Sequence, residues 1–223
     1  GELIRYQMKA REEYKKKKDD VGSYAIKIIM NSFYGALGNP SCRFFSMDIS
    51  NAITTFGQYI IQNTAKEIRK KGFEVLYSDT DSVFVESKTK ENDEADKLGQ
   101  TLEKDINDYY DDWVRKNYNT DSAMMLEYEK LFIKIIFPSQ RGENSKGAKK
   151  RYAGLIIKDG KEKMDFTGLE FVRRDWTELS KIFQLELLDR VFHEKPVVEF
   201  VKRFLEDIKA KKYDEQLVYV KAI

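Results

Sequence analysis

Phe73-Glu74-Val75-Leu76-Tyr77-Ser78-Asp79-Thr80-Asp81-Ser82-Val83-Phe84-Val85-Glu86 is the stretch on which the fold turns. Upstream of it apolar residues recur with a helical period; inside it the period becomes that of strands. Residues 73–77 and 83–86 are short runs rich in β-branched and aromatic side chains, and residues 78–82 between them are all polar. That pattern predicts a hairpin with acids at its tip. Asp79 and Asp81 lie two apart, so they share one face of a strand or converge at a tight turn. Burying like charges together is costly without a cation, and magnesium takes hard oxygen donors, commonly one or two carboxylates with waters and substrate phosphates. Acids in a solvated turn give the same spacing, so the pair alone leaves both readings open.

Three helical stretches precede the hairpin. Residues 2–18 are polar nearly all round, which suits a helix that projects into solvent or covers a partner. After a weak break at 19–22, residues 23–34 form a second helix with Ile26, Ile29, Met30 and Phe33 on one side. It is expected to stop at Gly35, with residues 35–40 as a loop. A third helix runs from Asp48, the expected N-cap, to Lys71, with an apolar stripe of Ile49, Ile53, Phe56, Ile60, Ala65 and Ile68. On the second helix Lys27, Asn31 and Tyr34 stand at offsets of four and three, with Gly35 next. A cation, an amide and a phenol in one stripe suit a triphosphate and a base or sugar, the glycine admitting close backbone approach. A solvated face ending in glycine has the same pattern.

Downstream, residues 91–116 read as an acidic helix, 124–137 as one or two strands, and 140–150 as a polar loop. Residues 152–158 and 163–166 pair across the turn signal Asp159-Gly160. Asp175 and Glu178 have the spacing of a capping box for a helix with a buried stripe of Leu179, Ile182, Phe183, Leu188, Val191 and Phe192. Pro196 restarts a last helix, with the face Val197, Val201, Phe204, Leu205 and Ile208. Lys149, Lys150 and Arg151 beside Tyr152, with Arg173 and Arg174 further on, are what backbone contacts to a nucleic acid need, although an ordinary basic surface looks alike. The fold class is α+β: helices, a central antiparallel sheet, then a helical lobe.

Composition narrows the chemistry. The 223 residues are 41% hydrophobic and 13% aromatic, enough for a real core, with 35% charged. A single cysteine, Cys42, excludes an internal disulfide and a Cys-rich zinc cluster. A single histidine, His193, all but removes histidine-dependent catalysis, so metal chemistry here must rest on carboxylates. The net charge of +2 hides basic runs at 15–18, 146–151 and 173–174 and an acidic zone over 91–112. Such alternation suits a protein that holds both a polyanion and a cation, or the charged surface of a heat-tolerant protein. No window approaches 18 uninterrupted apolar residues and no basic-then-apolar leader opens the chain, so neither a membrane span nor a signal peptide is expected.

Taken together, the motifs resemble those of one family. Residues 27–35, KIIMNSFYG, resemble the fingers-helix motif KxxxNSxYG of family B DNA polymerases. Residues 77–82, YSDTDS, are similar to that family's YxDTDS palm motif, at a similar distance downstream. Residues 149–152 match its KKRY motif, and residues 167–176, TGLEFVRRDW, look like the start of its thumb. Residues 42–45 and 146–155 lean toward the branch with the bacterial polymerase II type and its archaeal relatives.

The resemblance implies a polymerase palm with an antiparallel sheet, preceded by a fingers helix and followed by a helical thumb. Residues 1–36 would be the C-terminal part of the fingers, 37–145 the palm and 146–223 a thumb shorter than the family's. Lys27 would bind the phosphates of the incoming nucleotide; Asn31 and Tyr34 would line the nascent base pair, Tyr34 from the minor-groove side, with Gly35 beside them in the nucleotide site. Asp81 would ligate the catalytic magnesium ions, with Asp79 in a supporting place and Glu127 or Glu129 adding negative charge nearby. Lys149, Lys150, Arg151 and Tyr152 would track the primer-template duplex, and Arg173 and Arg174 its phosphates. The family's DxxSLYPS-like segment, which supplies the other metal-binding aspartate, has no counterpart in the 223 residues.

The expectation is therefore a portion of a DNA-directed DNA polymerase, inactive alone, working in DNA replication on deoxynucleoside triphosphates. A larger chain with the exonuclease and the remaining palm and fingers would complete its Mg2+ site, whether the portion is the small subunit of a split enzyme or an excised fragment. A cytoplasmic, nucleoid-associated location goes with that. A nucleotidyl cyclase also places acids on a hairpin but binds no duplex, and a DNA-clamping module would carry the acids as vestiges.

Overall fold

The computed structural model describes residues 2–139, 150–158, 160–172 and 176–219. The chain divides into two compact units, one of the residues up to Lys66 with Thr80–Val83, the other of Glu67–Asp79 with the residues from Phe84 onward.

In the first unit, helix α1 (Glu2–Lys16) buries none of its residues. Helix α2 (Asp20–Gly38) begins at Asp19, whose carboxylate accepts the backbone N–H of Gly22 at 2.9 Å, so the expected break is a cap between two helices. The expected stop at Gly35 does not occur: α2 runs on to Gly38 and ends at the extended residue Asn39. Proline at position 40 disfavours helical backbone in the residue before it, whereas one glycine in a helix interior costs only about 1 kcal/mol. Helix α3 (Met47–Lys70) starts one residue earlier than expected, and Ser46, not Asp48, stands at its head: the Ser46 hydroxyl accepts from the Ile49 N–H at 3.4 Å. Its apolar stripe is buried at Ala65 and Ile68 but exposed at Ile49, Ile53 and Phe56.

The second unit holds most of the sheet structure. Antiparallel pairing falls into two ladders rather than one central sheet, a hairpin of β1 (Val75–Asp79) and β2 (Ser82–Val85) and a three-stranded sheet in the order β3 (Lys134–Ile136), β4 (Tyr152–Lys158), β5 (Lys161–Thr167). Strands β4 and β5 pair from Tyr152 with Thr167 to Lys158 with Lys161, across a turn in which Gly160 has φ of +70°. The sheet's inner face, Ala153 and Leu155, packs with Leu169 and Phe192 and with the half-buried Ile136, Met164, Phe166 and Leu188. Gly154, in mid-strand, lies under the ring of Phe132, and a Cβ there would overlap that ring.

Helix α4 (Asn92–Tyr118) buries Ala95, Leu102, Ile106 and Tyr110. The strands expected over 124–137 reduce to β3 alone. Upstream of it the chain is extended and alternates in exposure, but side chains of α4 take its backbone groups. Asn107 bonds both the N–H and the carbonyl of Leu126 at 2.8 Å, and Glu103 accepts the Tyr128 N–H at 2.8 Å. A backbone satisfied by side chains forms no ladder.

Helix α5 (Glu178–Phe192) is capped by Thr177, whose hydroxyl accepts from the Ser180 N–H at 3.4 Å; Asp175, of the expected capping box, lies outside the described residues. Ile182 and Val191 of the expected stripe are exposed. Helix α6 (Val198–Lys209) buries Phe200, absent from the expected face, and leaves Leu205 exposed. Leu179, Phe200 and Phe204 form a second core with Phe183, Leu187, Val201, Ile208 and Tyr213.

Candidate active site

The hairpin tip is tighter than the sequence suggests. Strand β1 extends through Asp79, leaving Thr80 and Asp81 as a two-residue turn before Ser82 opens β2. Thr80 has φ of +52°, a left-handed conformation that a β-branched residue adopts only under constraint. Along β1, Val75, Tyr77 and Asp79 are half-buried while Leu76 and Ser78 are exposed, the alternation of a strand with one covered face. Asp81 is exposed.

Tyr77 anchors this strand. Its ring lies 5.0 Å from Phe137 and 5.7 Å from Phe84, and Phe84 in turn lies 5.1 Å from Tyr152 and 5.9 Å from Phe132. Offset and edge-on rings at these distances favour one another beyond simple burial. At the rim of the cluster the Tyr77 phenol oxygen accepts the backbone N–H of Lys150 at 2.7 Å. Lys150 has φ of +60°, and its ammonium stands 3.9 Å from Asp79 Oδ2. Gly168, at φ of +62°, presses its Cα face against the Lys150 carbonyl, where a Cβ would collide with that oxygen. Three separate sequence motifs thus meet at one residue: Tyr77 and Asp79 from the hairpin, Lys150 with Tyr152, and Gly168.

Lys27, Asn31, Tyr34 and Gly35 are all exposed along α2, in the first unit. Asp81 belongs to that unit as well, while Asp79, Lys150, Arg151 and Tyr152 belong to the second. Glu127 and Glu129 are exposed on the extended segment beside α4, with a Glu129 carboxylate oxygen 3.5 Å from the Lys130 ammonium. Lys149, Arg173 and Arg174 lie outside the described residues.

Asp79 and Asp81, two positions apart, are each a hard oxygen donor of the kind a divalent cation takes. They are too few for two ions. Among the described residues no group of three His, Cys, Asp or Glu side chains that could hold a metal ion occurs. Tyr77 and Gly168 escape sequence reasoning as site residues. Tyr77 stands in the motif at 77–82 with no role assigned to it, and the period-two pattern of residues 75–79 turns its ring to the same side as Asp79.

The fold is mixed, with an acidic hairpin braced by a basic segment. The chain belongs to DNA polymerase family B, whose family model matches residues 2–222. It is similar to DNA polymerase II of Escherichia coli K12, with 42% identity over 214 residues that cover 96% of this chain and 27% of that protein. It is also similar to the DNA polymerase of Thermococcus gorgonarius, with 31% identity over 91% of this chain and 24% of that one. DNA polymerase 2 of Aeropyrum pernix is 28% identical over 95% of this chain and 24% of its own length. The chain spans about a quarter of the length of these relatives.

Among the described residues, no helix is long and apolar enough to cross a membrane.

Proposed function

We propose that the chain is part of a DNA-directed DNA polymerase and carries half of the carboxylate set for template-directed nucleotidyl transfer. The observation that carries this is the hairpin tip with Asp79 and Asp81, tied through Tyr77 to Lys150, in a chain of family B. The partners are primer-template DNA, deoxynucleoside triphosphates, and a further stretch of polypeptide, in the same or another chain, that supplies the remaining aspartate, palm and fingers. In this reading residues 1–36 are the C-terminal part of the fingers, 37–145 palm and 146–223 thumb.

Bound magnesium would supply charge stabilisation at the α-phosphate and its attacking and leaving oxygens. Asp81, exposed at the turn, presents an unobstructed carboxylate for it, and Asp79, beside an ammonium, is the secondary donor. Lys27 holds the triphosphate by a charge-assisted contact, and Asn31, Tyr34 and Gly35 on the same exposed stripe lie along the base pair. Lys149, Lys150, Arg151 and Tyr152 hold the duplex, with Arg173 and Arg174 on its phosphates.

Asp81→Asn in the protein assembled with the complementing polypeptide tests the reading. The substitution keeps shape and removes one negative charge, so single-turnover incorporation should fall on the order of 100- to 1000-fold while duplex affinity holds. Near-normal incorporation would remove Asp81 from the mechanism, and duplex binding with no magnesium dependence in any form would favour a DNA-clamping module.

A further inference from the structure

Lys150 is placed among the duplex-holding cations by the motif reading, yet the structure gives its two ends to other things. Its backbone N–H is taken by a phenol 73 positions earlier in the chain, and its ammonium reaches the half-buried Asp79 carboxylate. The phenol belongs to the same strand as that carboxylate, two residues before it, so both ends of the contact are fixed by β1. Lys150 sits in a left-handed conformation that is strained for a residue with a Cβ, and it persists where surroundings over-determine it. The surroundings are the Tyr77 oxygen on one side of the backbone and Gly168 closing on the carbonyl from the other.

We propose that Tyr77 is a positioning residue: through its hydrogen bond to the Lys150 backbone it aims the Lys150 ammonium at Asp79, where that ammonium holds the place of a cation until a divalent ion displaces it. This rests on the reading of Asp79 as a metal donor, and it adds a residue and a competition that the reading does not contain. A divalent ion arriving at Asp79 must outbid the Lys150 ammonium, whose contact is partly solvated and therefore weak. Once displaced, the ammonium is free to meet a phosphate, which couples metal binding to duplex binding through a single side chain. The phenol contributes no charge to this; it contributes direction.

The test is a Mn2+ titration of the 15N-labelled 223-residue protein, followed by paramagnetic broadening of the amide resonances of residues 76–84 and 150–152. It is run on wild type, Tyr77→Phe, Lys150→Met and the double variant, with Asp79→Asn as control. Tyr77→Phe keeps the ring in its aromatic cluster and removes only the acceptor. Lys150→Met should tighten Mn2+ binding about two- to fivefold, the range of a half-exposed ion pair. Tyr77→Phe should tighten it in the same direction by less, and the double variant should match Lys150→Met, because a positioning residue has no effect once its target is gone. Thermal midpoints measured alongside should leave Tyr77→Phe folded, and Tyr77→His, which keeps an acceptor on a ring, should restore part of the wild-type affinity.

Mn2+ binding that is lost in Asp79→Asn but indifferent to Tyr77→Phe, or effects of the two variants that simply add, would overturn this proposal alone. Broadening that is absent from the hairpin in wild type, or unchanged in Asp79→Asn, would overturn the metal reading of Asp79 and the proposal with it.

Discussion

His193, the one histidine of the chain, shows how far a single side chain can be followed from contacts to behaviour. Glu162 bonds its Nε2 at 2.8 Å, and the Asp189 carbonyl lies 2.8 Å from Nδ1. The Glu162 carboxylate first, and then the Asp189 carbonyl, favour the charged ring and raise its pKa above the ordinary 6.5. A folded-state value raised above the unfolded one means that the stabilisation is fully present below pH 6.5 and is lost as pH rises through the higher, folded value. The thermal midpoint of wild type relative to His193→Gln should therefore decline as pH is raised past 6.5; a difference that stays level as pH rises would show that these contacts do not act. At this scale the sequence was informative wherever chemistry is local. Asp79, Asp81 and Lys150 stand out by type and spacing. Tyr77 and Gly168 do not, because a bond across 73 positions and a collision with a distant carbonyl leave no trace in neighbouring residues.

Elements were legible in kind and less so in their ends. Each long helix was visible, α2 and α3 from their apolar period and α1 and α4 from their polar and acidic composition, and the pairing of β4 with β5 followed from a glycine turn. Ends failed where two local signals competed. Gly35 yielded to the Asn39-Pro40 terminus of α2, and Asp48 to Ser46 at the head of α3. The strands expected over 124–137 were lost for a different reason, since the side chains that satisfy that backbone come from α4 and no pattern within the segment announces them. Thr177 offers a check on the observed end. Thr177→Ala should cost about 1 kcal/mol in chemical denaturation, with Asp175→Ala costing less, and the reverse order would restore the box.

For the molecule as a whole, family membership was legible because four motifs kept their order along the chain, and the match over residues 2–222 bears it out. The division into units was not, because residues 80–83 cluster with the N-terminal helices while their strand partners do not, a tertiary outcome with no compositional boundary. The proposed function makes a whole-chain prediction. Two hairpin carboxylates are short of what two ions need, so the pure 223-residue protein should bind primer-template duplex yet show no templated incorporation in a primer-extension assay. Its binding should weaken steeply with salt, and Arg151→Ala should lower the slope of log affinity against log salt by about one. Steady incorporation by the chain alone would show that its own carboxylates suffice, and an unchanged slope would place Arg151 off the phosphates.

The ring of Phe132 over Gly154 bears on how this sequence can drift. Neither position can change first without harm: a methyl group at 154 has no room while the ring is present, and a smaller residue at 132 opens a void beside the rings of Phe84 and Tyr152. Substitution at the two sites should therefore be paired across descendants of this chain, a bulkier residue at 154 travelling with a slimmer one at 132. Descendants that keep the glycine should keep the ring.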